Sequence, residues 1–163
     1  MGLMQRQKGK TFERLVAARL RKRFPTYAEE IKRSIQSRGA VNEGSDVQFP
    51  GLWIECQDAR DPTPRAKLAQ AERDNIATNK VSFSDVIPVA VTHKLRARTI
   101  QVSMTLGHLN TFADCNLGER PWTFVTIDFD DWLDLLEMWL ARRAARQLDG
   151  KPTAASSQPW VHG

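Results

Sequence analysis

The stretch Val47-Gln48-Phe49-Pro50-Gly51-Leu52-Trp53-Ile54 constrains the fold of this chain more than any other. Two short runs rich in strand-forming residues flank a Pro-Gly pair. Proline presets the first turn position and glycine accepts the positive φ that the second demands, so the two runs read as a hairpin. A two- or four-residue loop sets Phe49 opposite Leu52, and three steps outward along each strand Asp46 lies opposite Glu55. Cross-strand neighbours on one face have Cβ atoms about 4.5–5.5 Å apart. Strand alternation puts Glu55 and Gln57 on that face and turns Leu52, Ile54 and Cys56 the other way, toward a core.

Two carboxylates side by side resist joint ionisation unless a cation lies between them. A hard divalent ion with oxygen ligands answers that need, and magnesium uses one or two carboxylates together with waters and substrate phosphates. On spacing alone a second reading stands beside this one: an edge hairpin whose acids face solvent.

The remaining elements follow from periodicity. Phe12, Leu15, Val16 and Leu20 recur at helical spacing from about Thr11 to Phe24, with Thr11 as a cap and Pro25 as a stop. Glu13 lies one turn before Val16 and Ala17 and borders this apolar stripe. A first strand is expected within Glu30 to Gln36, and a loop from Asn42 to Ser45. Strands then run from Asp46 to Phe49 and from Leu52 to Gln57. Pro64 or Arg65 opens a helix to about Thr78, with Ala66, Leu68, Ala69 and Ile76 as its apolar residues. Val86 to Val91 is a nearly unbroken apolar run, the mark of a strand buried on both faces. Thr99 to Thr105 and Trp122 to Ile127 are further strands. A last amphipathic helix begins at Asp130 and Asp131, its acids early and its arginines late. The order makes an α/β chain of the α+β kind, with a mixed sheet flanked by helices. One domain over 1–148 and a mobile tail over 149–163, rich in Gly, Pro, Ser and Ala, are expected.

Charge is unevenly placed. Residues 1–38 hold eleven Lys or Arg and three Glu, a net of +8, while the whole chain carries +5. A basic segment on an otherwise mildly acidic chain suits a polyanion partner, or else is a solvated basic helix face. No apolar run is long enough to span a bilayer, and the N-terminus lacks the apolar stretch of a secretion signal, so a cytoplasmic location is expected. Cys56 and Cys115 have no zinc-site spacing.

Asp46, eight intervening residues and then Glu55-Cys56-Gln57 resemble the signature of the PD-(D/E)XK nuclease superfamily. The upstream Lys8-Gly9-Lys10-Thr11-Phe12-Glu13 resembles the opening of Holliday-junction resolvases of archaeal and phage type. The helix after the hairpin and the strand Val86 to Val91, followed by Lys94, Arg96 and Arg98, are similar too, so the resemblance covers residues 8–105. It implies a restriction-endonuclease-like αβββαβ core, here with an added C-terminal strand and helix. It also implies hydrolysis of DNA phosphodiesters with Mg2+ (Mn2+ substituting), in DNA recombination and repair. Glu13, Asp46, Glu55 and the carbonyl of Cys56 would surround the metal.

One position departs from the pattern. Gln57 stands where the family usually has lysine; its amide can orient a water but supplies no charge. A cation from elsewhere would restore it, and Lys67 on the following helix is the first candidate. Three functions are therefore carried forward: a resolvase of branched DNA, a nuclease of this fold acting on other DNA, and a DNA-binding module without activity. A four-way junction presents two strands to cut, so the first implies a homodimer. The stripe Trp132, Leu136, Trp139 and Leu140 could build its interface or pack on its own sheet. His93 and His108 read as structural or surface residues, and Ser45 as a loop hydrogen-bonder.

Overall fold

The computed structural model of the chain describes residues 3–34, 44–79 and 86–148. The expectations for the tail over 149–163, and for the parts of the first strand and its following loop that fall in 35–43, lie outside the described residues. In chain order the elements are α1 (Leu3–Arg23), a 3-10 turn (Pro25–Tyr27), β1 (Lys32–Arg33), β2 (Val47–Phe49), β3 (Leu52–Ala59), α2 (Pro64–Asn79), β4 (Ile87–Lys94), β5 (Thr99–Thr105), α3 (Leu106–Ala113), β6 (Phe124–Asp128) and α4 (Phe129–Leu148). Among the described residues the six strands form one sheet in sequential order, β3 and β4 parallel and the other neighbours antiparallel. Parallel neighbours need a crossover, and α2 supplies it. The expected αβββαβ order is observed from α1 to β4, and two further strands, β5 and β6, and two helices, α3 and α4, follow it.

The hairpin has the expected register: Phe49 pairs with Leu52 and Val47 with Ile54. Gly51 adopts φ +78° at the turn. A side chain there would be strained by that φ and would also run into Arg143 and Trp139 of α4.

α1, α3 and α4 share one buried cluster with Val47, Ile54, Val89, Val91, Val102 and Met104 of the sheet. The alternate residues Ala90, Thr92 and Ser103 are buried as well, on the side where α2 packs against β3 and β4. Their small size lets the helix come close, with Leu68 and Ala71 as its own buried residues. β4 is therefore covered on both faces, as its apolar run requires.

β3 and β4 run two and three residues past their expected ends, and four further details differ from the sequence expectation. α1 begins eight residues before Thr11, which sits inside the helix and donates from Oγ1 to the Gln7 carbonyl at 2.9 Å. Residues 5–10 are polar or glycine and carry no apolar period to reveal the early turns. Leu15 is 45% exposed, because Phe12, Val16 and Leu20 fill the buried stripe and leave it at the margin. Ile76 of α2 is likewise exposed, while Asn75 beside it is buried and donates to the Val86 carbonyl at 3.0 Å. α3 carried no clear signal, being eight residues long and capped by the Thr105 hydroxyl, which accepts from the His108 N–H at 3.3 Å.

The α4 stripe packs on the chain's own core. Trp132, Leu133, Leu136 and Leu140 are buried, and Trp139 lies against Phe112 at 5.5 Å between ring centroids. Of the two roles open to Trp132, Leu136, Trp139 and Leu140, packing on the chain's own sheet is the one observed. α4 follows β6 without a loop, so it folds straight back over β5 and β6.

Candidate active site

Asp46 immediately precedes β2, at the point where that strand leaves its partner, and Glu55 lies in the middle of β3. Both are buried, at 6% and 4% exposure. Asp46 Oδ2 accepts the Cys56 backbone N–H at 2.8 Å, which fixes its carboxylate over the edge of β3. Glu55 Oε1 accepts from the Trp53 indole N–H at 3.1 Å, and Glu55 Oε2 accepts from Lys67 Nζ at 2.8 Å and from Gln70 Nε2 at 3.4 Å. Lys67 Nζ is also 3.5 Å from Asp46 Oδ2. The structure therefore brings Asp46 and Glu55 to one point on one side of the hairpin, with the Lys67 ammonium between them.

The electrostatics follow from burial. Desolvation, then the neighbouring charge of Asp46, pushes the Glu55 carboxyl up to about 7 against the pull of Lys67 and Trp53. For Lys67, burial works to lower the ammonium, but Asp46 and the hydrogen bond and charge of Glu55 outweigh it, so the net direction is upward and the side chain stays protonated. The Cys56 thiol is raised well above its ordinary value by burial first and then by Asp46, Glu13 and Glu55. It is a neutral side chain, not a thiolate.

Glu13 belongs to this neighbourhood, since its charge bears on Cys56, and it is ion-paired with Arg33. Arg33 of β1 donates to Glu13 Oε2 at 2.9 Å. Among the described residues no three Asp, Glu, His or Cys side chains gather closely enough to hold an ion by themselves. Asp46 and Glu55 are the two acids that Lys67 contacts.

Gln57 takes a different part from the water-orienting one expected. Its amide oxygen accepts the Thr63 backbone N–H at 2.9 Å, and its Nε2 donates to Thr63 Oγ1 at 3.3 Å. Both ends of the amide are engaged by the residue that precedes α2.

The donor set suits a hard divalent ion. Asp46 and Glu55 present carboxylate oxygens. In an extended strand a residue's N–H and C=O leave on the same side, so the Cys56 carbonyl faces the side on which its N–H meets Asp46. Counting Glu13, three acids are met by two cations, Lys67 and Arg33, so the acids outnumber the cations by one before any ion or substrate is counted.

Trp53, Gln70, Thr63 and Arg33 were not singled out from the sequence. Trp53 shares a strand face with Glu55, two residues on, and Gln70 lies one turn after Lys67, so both had a spacing signal. Arg33 had none, because its contact to Glu13 spans two elements. His93 pairs with Asp58 at 2.9 Å and stacks on Phe12, and Ser45 Oγ donates to the Val47 carbonyl at 2.9 Å. Both are structural contacts of the kind expected. Trp122 is 68% exposed before β6. No helix among the described residues is long and apolar enough to cross a membrane. No protein-family model matches the chain, and no curated protein matches it.

Proposed function

We propose that this protein is a metal-dependent DNA endonuclease, acting as a Holliday-junction resolvase on branched DNA. The observation that carries the reading is the buried pair Asp46 and Glu55 at the mouth of a hairpin, sharing the ammonium of Lys67. A surface hairpin with solvated acids would leave these groups exposed and would not draw a lysine from the next helix into a half-buried site.

Asp46, Glu55 and the Cys56 carbonyl would hold Mg2+, with Mn2+ as a substitute. Such an ion lowers the pKa of a bound water and offsets charge on a phosphate under attack. The chain's own residues do the rest. Trp53 and Gln70 fix the rotamer of Glu55. Lys67 stands as the fixed positive charge that the family's usual lysine would provide, and orients the attacking water from the α2 side. Arg33 holds Glu13 beside the centre. The exposed cations of α1 meet the DNA backbone, and a two-fold homodimer supplies the two sites that a four-way junction requires.

The test is a parallel cleavage assay on a four-way junction, a linear duplex and a single strand, each with Mg2+, Mn2+ or EDTA. Junction cleavage that needs the metal and is lost in Asp46→Asn and Glu55→Gln supports the proposal. Equal cleavage of linear DNA shifts it to a nuclease of this fold with another substrate. Binding of all three DNAs with no cleavage under any metal overturns the catalytic reading.

A further inference from the structure

A helix N-terminus leaves backbone N–H groups without helical partners, and a capping box meets this need by letting the third helical residue accept from the cap residue's own N–H. In α2 that third residue is Ala66, which has no acceptor, while proline occupies the first position. The acceptor comes instead from outside the helix. Gln57 on β3 takes the Thr63 N–H on Oε1 and returns a hydrogen bond from Nε2 to Thr63 Oγ1. Thr63 in turn accepts the Lys67 N–H at 3.0 Å, the first helical bond of α2. The contacts are therefore continuous. Gln57 holds Thr63, Thr63 holds the backbone of Lys67, and the Lys67 ammonium reaches Glu55 and Asp46.

We infer that Gln57 is a positioning residue, pinning the cap of α2 to β3 so that Lys67 is delivered to the Asp46–Glu55 pair. The strand face explains why this works. Glu55 and Gln57 are two residues apart on β3, roughly 6.5 Å along one face. The residue that fixes the start of the helix and the residue that receives its lysine therefore belong to one rigid strand. A lysine at 57 would occupy the same face but could not accept from Thr63, having donors only. The amide at 57 and the lysine at 67 form one arrangement, in which the charge comes from the helix and the strand position holds that helix in place. The inference rests on the proposed function for what Lys67 does to substrate, and on geometry alone for how Lys67 is held.

Chemical reactivity of Lys67 tests it without any cleavage. In the whole chain, acetylation by an N-hydroxysuccinimide ester, read peptide by peptide by mass spectrometry, should proceed more slowly at Lys67 than at exposed Lys32. Gln57→Met keeps the length and removes the amide. It should raise the Lys67 rate several-fold relative to Lys32, the scale set by loss of a neutral hydrogen bond. Thr63→Val, which removes only the hydroxyl contact, should give a smaller rise, and Thr63→Ser should behave as the wild type. Should Gln57→Met not fold, as judged by circular dichroism, the Thr63 pair carries the same comparison. An unchanged Lys67 rate in a folded Gln57→Met protein, or equal rates in Thr63→Val and Thr63→Ser, overturns the inference. A second arm uses cleavage: Gln57→Met added to Lys67→Gln should cause no further loss, whereas multiplying losses would mean that Gln57 acts on the reacting groups directly. A wild type that cuts no DNA ends the nuclease reading and leaves the labelling result standing. Unchanged labelling in an active enzyme does the reverse.

Discussion

Glu55 Oε2 and Lys67 Nζ stand 2.8 Å apart, although one belongs to the centre of a strand and the other to the first turn of the helix that follows it. Lys67 is the shared counterion of two buried acids. Removing it takes from Glu55 the ammonium it accepts from at 2.8 Å, and loss of one partner of a buried pair is strongly destabilising. Lys67→Gln is expected to lower kcat on the preferred DNA by on the order of 10²-fold while DNA affinity changes little, the pattern of a lost transition-state interaction. Lys67→Arg keeps the charge and should retain more activity. Single-turnover kinetics with matched binding measurements check this; a Lys67→Gln enzyme with unchanged kcat would remove Lys67 from the mechanism.

The basic N-terminal third is less available than its charge suggests. Arg19 pairs with Asp130, and Arg23 is 2.7 Å from Asp134 and 2.5 Å from Glu137, so α1 spends two arginines on α4. Lys8, Lys10, Arg14 and Lys22 remain exposed. Each phosphate contact contributes about −0.9 to the slope of log affinity against log salt on duplex DNA. Substituting Lys8, Lys10, Arg14 or Lys22 by alanine should make that slope shallower, and substituting Arg19 or Arg23 should change it much less. Fluorescence anisotropy over a salt series reads both. Equal effects from the two groups would mean that the α4 acids do not hold these arginines in solution.

His108 sets an acid limit on stability. Burial pushes its imidazole down from 6.5 to about 4, and its Nδ1 lies 3.0 Å from Thr105 Oγ1, which already accepts the His108 N–H. The Thr105 hydroxyl proton is then free to be donated to Nδ1, a bond that only the neutral ring can accept. The folded pKa is below the unfolded one. The unfolded chain therefore takes up a proton near pH 6.5 that the folded chain refuses until about pH 4. Stability from this group is complete above the upper value and declines as pH falls through the window. The loss should amount to roughly 1–2 kcal/mol once solvent screening of a partly exposed ring is allowed for. Urea melts of wild type and His108→Gln at several pH values should diverge across this window; parallel curves would show that His108 is not the group responsible.

The tryptophans of α4 should act through folding. Leu136 is fully buried, and Leu136→Ala is expected to cost about 2–5 kcal/mol. Trp132 is also fully buried, yet among the described residues its indole N–H has no hydrogen-bond partner. Trp132→Phe removes that unpaired donor along with some volume, so its loss should be well below that of Leu136→Ala. Trp139→Glu should lower the melting temperature by putting a charge against Phe112 and the Gly51 turn. Thermal melts with light scattering at micromolar concentration separate the outcomes. A Trp139→Glu protein that kept its melting temperature but changed only its mass would restore α4 to an interface role.

The sequence by itself determined the hairpin and, through it, the opposition of Asp46 and Glu55. Pro50-Gly51 specifies a short turn, strand alternation has a period of two, and together they leave one register in which Leu52 and Ile54 are buried. The succession of strands along the chain from β2 onward was legible for the same reason, since each strand carried its own local period and β4 its unbroken apolar run. Tertiary structure decided what local periodicity does not encode. Arg33 meets Glu13 across twenty residues and Arg19 meets Asp130 across 111, contacts set by how helices pack on a sheet. Leu15 and Leu20 share a helix and a chemistry, but only the packing of α1 against the sheet puts one in solvent and the other in the core. Gln57 shows the division most clearly. Its place on the Glu55 face was readable from alternation, but its partner was not, because the choice between a water and the cap of α2 depends on where the turn after β3 brings Thr63.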